Sequence, residues 1–88
     1  MTTRTVTVAS AVGLHARPAA TFTRAAAGAG IPVTIGVPGR DPVNAASVLA
    51  VMTLGIGHGQ EVTLHAEGDG ADVALDALVA LLATDLDA

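Results

Sequence analysis

Glu61-Val62-Thr63-Leu64-His65-Ala66-Glu67 alternates without a break, with Val62, Leu64 and Ala66 to one side and Thr63 and His65 to the other. A period of two belongs to a β-strand, and an apolar side opposite a hydroxyl-rich one describes a strand buried on one face only. The pattern returns twice upstream. Arg4 to Val8 sets Val6 and Val8 against Thr5 and Thr7, and Pro32 to Val37 places Val33, Ile35 and Val37 together. Strands of this kind build a sheet that needs cover on its apolar face and tolerates water on the other.

Three segments of helical period can supply the cover. Ala16 to Ala27 is mostly alanine and lacks a β-branched run, which favours a helix. Ala19, Phe22, Thr23 and Ala26 then face the core, and Arg17, Thr21 and Arg24 lie on the opposite side. Pro18 falls in the first turn, where a missing N–H costs little, and Gly28 and Gly30 end the helix. Ala45 to Met52 reads as a brief helix with Leu54-Gly55-Ile56-Gly57-His58-Gly59 as its glycine-rich exit. After the turn Gly68-Asp69-Gly70, the stretch Ala71 to Leu86 carries Ala74, Leu75, Leu78, Leu81 and Leu82 on one stripe. Pro38 to Pro42 is a turn, and a short strand is expected around Pro42 to Asn44. The order is strand, helix, two strands, helix, strand, helix. The expected fold is α+β: an open-faced β-sandwich, with a four-stranded antiparallel sheet covered on one face by three helices.

At 88 residues the chain has room for a single domain, 1–88, with one core. There is no cysteine, which excludes disulfides and thiolate metal sites. A net charge of −4, with four arginines and no lysine, argues against nucleic-acid binding, which needs a basic face. The start, Met1-Thr2-Thr3-Arg4-Thr5, lacks the apolar run of a signal peptide. Val73 to Ala83 is too short to span a bilayer and contains Asp76. A cytoplasmic protein without membrane insertion is the expectation.

Chemistry concentrates in Gly13-Leu14-His15-Ala16-Arg17-Pro18-Ala19-Ala20, which puts a histidine at the entrance of a helix. The first N–H groups of a helix have no intrahelical partner, and the helix dipole is positive there. A phosphoryl group on the His15 ring would meet the backbone donors of Ala16 and Arg17. The Arg17 guanidinium can fork onto the same oxygens. Uncharged imidazole is the nucleophile that such a transfer requires. The other histidines, His58 in a glycine-rich loop and His65 on the wet face of a strand, read as structural or neutral. Their spacing with His15 does not resemble a zinc motif, so no metal is expected.

The stretch Gly13 to Ala19 resembles the active-site signature of the HPr phosphocarriers of the phosphoenolpyruvate-dependent sugar phosphotransferase system. A second signature, Asn44-Ala45-Ala46-Ser47-Val48-Leu49-Ala50-Val51-Met52-Thr53-Leu54-Gly55, lies at the family's separation, and length and element order also agree. The resemblance implies that His15 accepts phosphate on Nδ1 from phosphorylated enzyme I and passes it to enzyme IIA domains of sugar permeases, assisted by Arg17. It implies no cofactor, and a monomeric carrier with a covalent phosphohistidine rather than a free-standing turnover enzyme. Thr21, Arg24, Val48, Leu49 and Met52 would then meet partners, although Leu49 and Met52 could equally lie partly in the core. Ser47 aligns with a serine that, in some members, an HPr kinase phosphorylates, creating a ligand for a transcriptional regulator. It reads as well as a simple helix N-cap. A regulatory protein acting through Ser47, or a paralogous carrier in a nitrogen-related or dihydroxyacetone relay, are the alternatives. The chain departs from the family in a Val37 to Val43 region one residue longer, and in neutral Ala27 and Ala50 where lysine is frequent.

Overall fold

In a computed structural model that describes residues 2–84, the elements follow the expected order. They are β1 (Thr2–Thr7), α1 (Ala16–Ala27), β2 (Val33–Gly36), β3 (Val43–Asn44), α2 (Val48–Thr53), β4 (Glu61–Ala66) and α3 (Ala71–Leu82). The strands form one antiparallel sheet in the order β1-β4-β2-β3. Its central strand β4 has Leu64 opposite Arg4 on one side and Ile35 on the other. The neighbouring row, Thr3–His65–Thr34, has the opposite orientation and lies on the open face. Thr3 Oγ1 and His65 Nδ1 are 3.2 Å apart within it. His65 is thus a cross-strand neighbour of threonines.

The core lies between the sheet and the helices. Val62, Leu64, Ile35 and Val33 meet Phe22, Leu75, Leu78 and Leu82, all buried. Phe22 is the chain's one aromatic residue and is fully buried. Truncating such a side chain to alanine costs about 3–5 kcal/mol. Ala19, Ala26, Ala66 and Ala71 are buried with it. Their small side chains let helices and sheet approach closely enough to fill a core that has no other large ring.

Element boundaries differ from expectation for local reasons. β1 begins two residues before Arg4, because Thr2 and Thr3 continue the ladder to Ala66 and His65. It stops at Thr7, although Val8 N–H still donates to Gln60 O at 3.0 Å. β2 starts at Val33 and ends at Gly36, and the carbonyl of Val37 instead accepts the Arg40 N–H in a turn. α2 begins at Val48, not Ala45. Asn44 Oδ1 takes the Ala46 N–H at 2.9 Å and Asn44 O takes the Ser47 N–H at 3.1 Å, a side-chain turn that holds these residues out of the helix. α3 ends at Leu82 in a turn through Ala83 and Thr84, and positions 85 and 86 of the expected helix lie outside the described residues. Ala74 and Leu81 are only partly buried on it.

Arg4 shares the inward face of β1 with Val6. Its Nε donates to Asp76 Oδ1, Nη2 to Asp72 Oδ1 and Nη1 to the carbonyl of Thr3, each at 3.0 Å. The bond to Asp76, and after it the bond to Asp72, raises the guanidinium pKa above its ordinary value. Arg4 thereby ties β1 to the first two turns of α3.

Candidate active site

The loop from β1 to α1 is fastened to the segment after α2. Val8 and Leu14 are buried, and the Leu14 N–H donates to Ile56 O at 3.0 Å. Gly13, at φ +69°, makes this approach possible: a Cβ there would collide with the carbonyl oxygen of Ile56 and lie 2.7 Å from Gly57 Cα. Ser10 O accepts the Gly13 N–H at 3.0 Å and stands 3.1 Å from Nδ1 of His58. His15 emerges from this anchored loop, exposed, as the N-cap residue of α1.

His15 has extended backbone, φ −124° and ψ 158°, and its side chain makes no capping hydrogen bond. Among the described residues the ring has no hydrogen-bond partner and is uncommitted. The next residue, Ala16, has φ +48°, the single non-glycine residue with positive φ among the described residues. A left-handed alanine costs about 1–2 kcal/mol. Among the described residues the amides of Ala16 and Arg17 meet no backbone carbonyl, and residue 18 is proline, with no N–H. No carboxylate lies in the first turn of α1. Two open donors at a positive helix end, beside an uncommitted imidazole, form an anion-accepting site.

Arg17 and Arg24 are exposed, and among the described residues neither forms an ion pair; Arg4 carries both pairs found there. Arg17 is free to reach a phosphate in front of the helix. Thr21 is half-buried, not exposed as its helical position suggested, because α1 packs against both α2 and α3 and more than one stripe of it is covered.

On α2 the burial is divided residue by residue. Val51 is buried, whereas Leu49 is 78% exposed and Val48 and Met52 are 39% exposed each. Leu49 is thus a surface residue, and the alternative that placed it in the core is set aside. Three exposed apolar side chains on a helix of six residues make a small patch of the kind that meets partners. Ser47 is the N-cap of α2, its Oγ accepting the Ala50 N–H at 3.2 Å. Val12, 51% exposed on the His15 loop, and the contact between His58 and Ser10 are not legible in the sequence. A hydrophobic residue six before the helix proline offers no period from which exposure can be read. Among the described residues, no group of three His, Asp or Glu side chains could hold a metal ion, and no helix is long and apolar enough to cross a membrane.

Comparison with known proteins points to one family. The family model PTS-HPr, described as the PTS HPr component phosphorylation site, matches residues 2–84. The phosphocarrier protein HPr of Streptomyces coelicolor is 49% identical over 87 residues, covering 99% of this chain and 94% of that protein. That of Haloferax volcanii is 51% identical over 82 residues, 92% of each chain. Among solved structures, HPr-C-His from Thermoanaerobacter tengcongensis superposes with a TM-score of 0.92 at 35% identity, over 100% of this chain and 98% of that one.

Proposed function

The chain belongs to the HPr phosphocarrier family, and on that premise we propose that His15 is the residue through which it carries phosphate. His15 Nδ1 attacks the phosphorus of phosphorylated enzyme I. The N–P bond to His15 forms as the bond to the donor breaks, and the reverse geometry passes the group to an enzyme IIA domain of a sugar permease. In transit, negative charge lies on the three equatorial oxygens of the phosphoryl group, and stabilising that charge is most of what a protein can contribute. The Ala16 and Arg17 amides supply fixed donors and the Arg17 guanidinium a mobile one.

The observation that carries this reading is the uncommitted His15 ring at a helix end whose two open amides face no competing carboxylate. Because both donors are backbone groups, their position costs nothing to arrange at the moment of transfer. Partners dock on the surface formed by Thr21, Arg24, Val48, Leu49 and Met52. A single domain over residues 1–88, working as a cytoplasmic monomer, suits a carrier whose one imidazole must be reached by successive partners.

Incubation with enzyme I and phosphoenolpyruvate is expected to add one acid-labile, base-stable phosphate per chain, absent from His15→Ala. A chain left unmodified by several enzymes I that phosphorylate other carriers would overturn the proposal.

A further inference from the structure

Among the described residues, the loop that presents His15 has one fastening that comes from a side chain. Between Val8 and Gly13, residues Ala11 and Val12 are exposed and, among the described residues, form no backbone hydrogen bond. Among the described residues the buried Ser10 hydroxyl has no partner, so this side chain contributes no tether of its own there. What holds the loop here is the Ser10 carbonyl. It accepts the Gly13 N–H from within the loop and faces His58 Nδ1, at 3.1 Å, from the glycine-rich segment opposite.

We propose that His58 is a positioning residue for His15, holding the Gly13–Leu14 corner in place through its hydrogen bond to the Ser10 carbonyl. A carbonyl oxygen can only accept, so the proton of that contact sits on Nδ1 of His58. The imidazole is aimed by its own backbone. Gly59 N–H donates to Val8 O at 2.9 Å, and Gly57 N–H donates to Gln60 Oε1 at 3.2 Å, which pins the chain on both sides of His58. The Ser10 carbonyl, with its two lone pairs filled, fixes the Gly13 amide. Gly13 in turn packs on Ile56 and Gly57, and Leu14 hydrogen-bonds to Ile56. His15 is the next residue. Loosening Ser10 therefore spreads the positions that the reacting ring can occupy, and phosphoryl transfer is sensitive to such spread.

This inference rests on the carrier role assigned to His15, and its test separates the two. Two variants are compared with the native chain: His58→Ala, which removes the donor, and His58→Asn, whose side-chain amide N–H stands where Nδ1–H stood. Three quantities are read: the nitrogen shifts of His58, hydrogen exchange at the Gly13 and Leu14 amides, and the single-turnover rate of phosphate transfer from phosphorylated enzyme I. Expected are the Nδ1–H form of His58 in the native chain, and in His58→Ala about fivefold faster exchange and about fivefold slower transfer, the factor that one ordinary hydrogen bond represents. His58→Asn should restore both. Unchanged exchange in His58→Ala overturns the proposal, and so do unchanged transfer or a His58→Asn that behaves like His58→Ala. If the native chain takes no phosphate on His15, the carrier role falls, and with it the claim that His58 serves transfer; exchange then decides only whether His58 holds the loop.

Discussion

Replacing Gly13 by alanine tests whether the site is built on the close approach of two loops. Gly13 has φ +69°, a conformation that costs an alanine about 1–2 kcal/mol. The new Cβ would also collide with Ile56 O and stand 2.7 Å from Gly57 Cα and 2.9 Å from Gly57 C, all backbone atoms with no side-chain freedom to give way. The loops must separate, and the hydrogen bond from Leu14 N–H to Ile56 O at 3.0 Å is stretched or lost, worth about 0.5–1.5 kcal/mol. Leu14, now 1% exposed, is drawn partly out of the core. Together these predict a loss of about 2–4 kcal/mol, or about 10–20 °C in melting temperature for a domain of this size. Thermal and urea unfolding measure it, and the rate of phosphate uptake by His15 should fall in parallel. A Gly13→Ala chain that melts within a degree or two of the native one would refute the account of how the His15 loop is anchored.

Ala16→Gly relieves the left-handed backbone at the helix entrance and is expected to raise stability by up to about 1 kcal/mol in urea unfolding; a loss of stability would mean that Ala16 is unstrained. Ser47→Ala removes the N-cap of α2 and should cost about 1 kcal/mol, while Ser47→Asp, which can still accept the Ala50 N–H, should cost much less. Equal losses in the two variants would show that the cap does not matter. Leu49→Ser should leave unfolding within about 0.5 kcal/mol of native, since the residue is mostly exposed, yet raise the concentration of enzyme I needed for half-maximal transfer several-fold. An unchanged KM would remove Leu49 from the docking surface.

The strands were legible because a half-buried strand writes its two faces into alternate residues, and Glu61 to Glu67 does so without a fault. Helix α1 was legible to the residue, since Pro18 and Gly28 punctuate both ends. Helix α2 was not, because Asn44 offers the backbone a turn that competes with helix, a contest that propensity for Ala45 and Ala46 cannot reveal. Arg4 shows a second limit. Its place on the inward face follows from the period of two, but its partners Asp72 and Asp76 stand far along the chain and meet it only when α3 crosses β1. At the site, His15, Ala16 and Arg17 could be named from their place at a helix start. The positive φ of Ala16 and the contact of His58 with Ser10 could not: nothing in an alanine signals a left-handed backbone, and the contact joins residues 48 apart in the chain.

An exposed imidazole presented from one end of one helix also imposes a traffic rule on the carrier proposed above. In the proposed relay, whichever partner covers His15 shuts out every other, so donor and acceptor must take turns and a complex of three cannot form. Throughput is then governed by how soon each visitor leaves, and a longer stay lowers the flux however fast the chemistry. Seen so, the modest size of the apolar patch on α2 is an asset: a surface that held any caller firmly would stall the queue behind it.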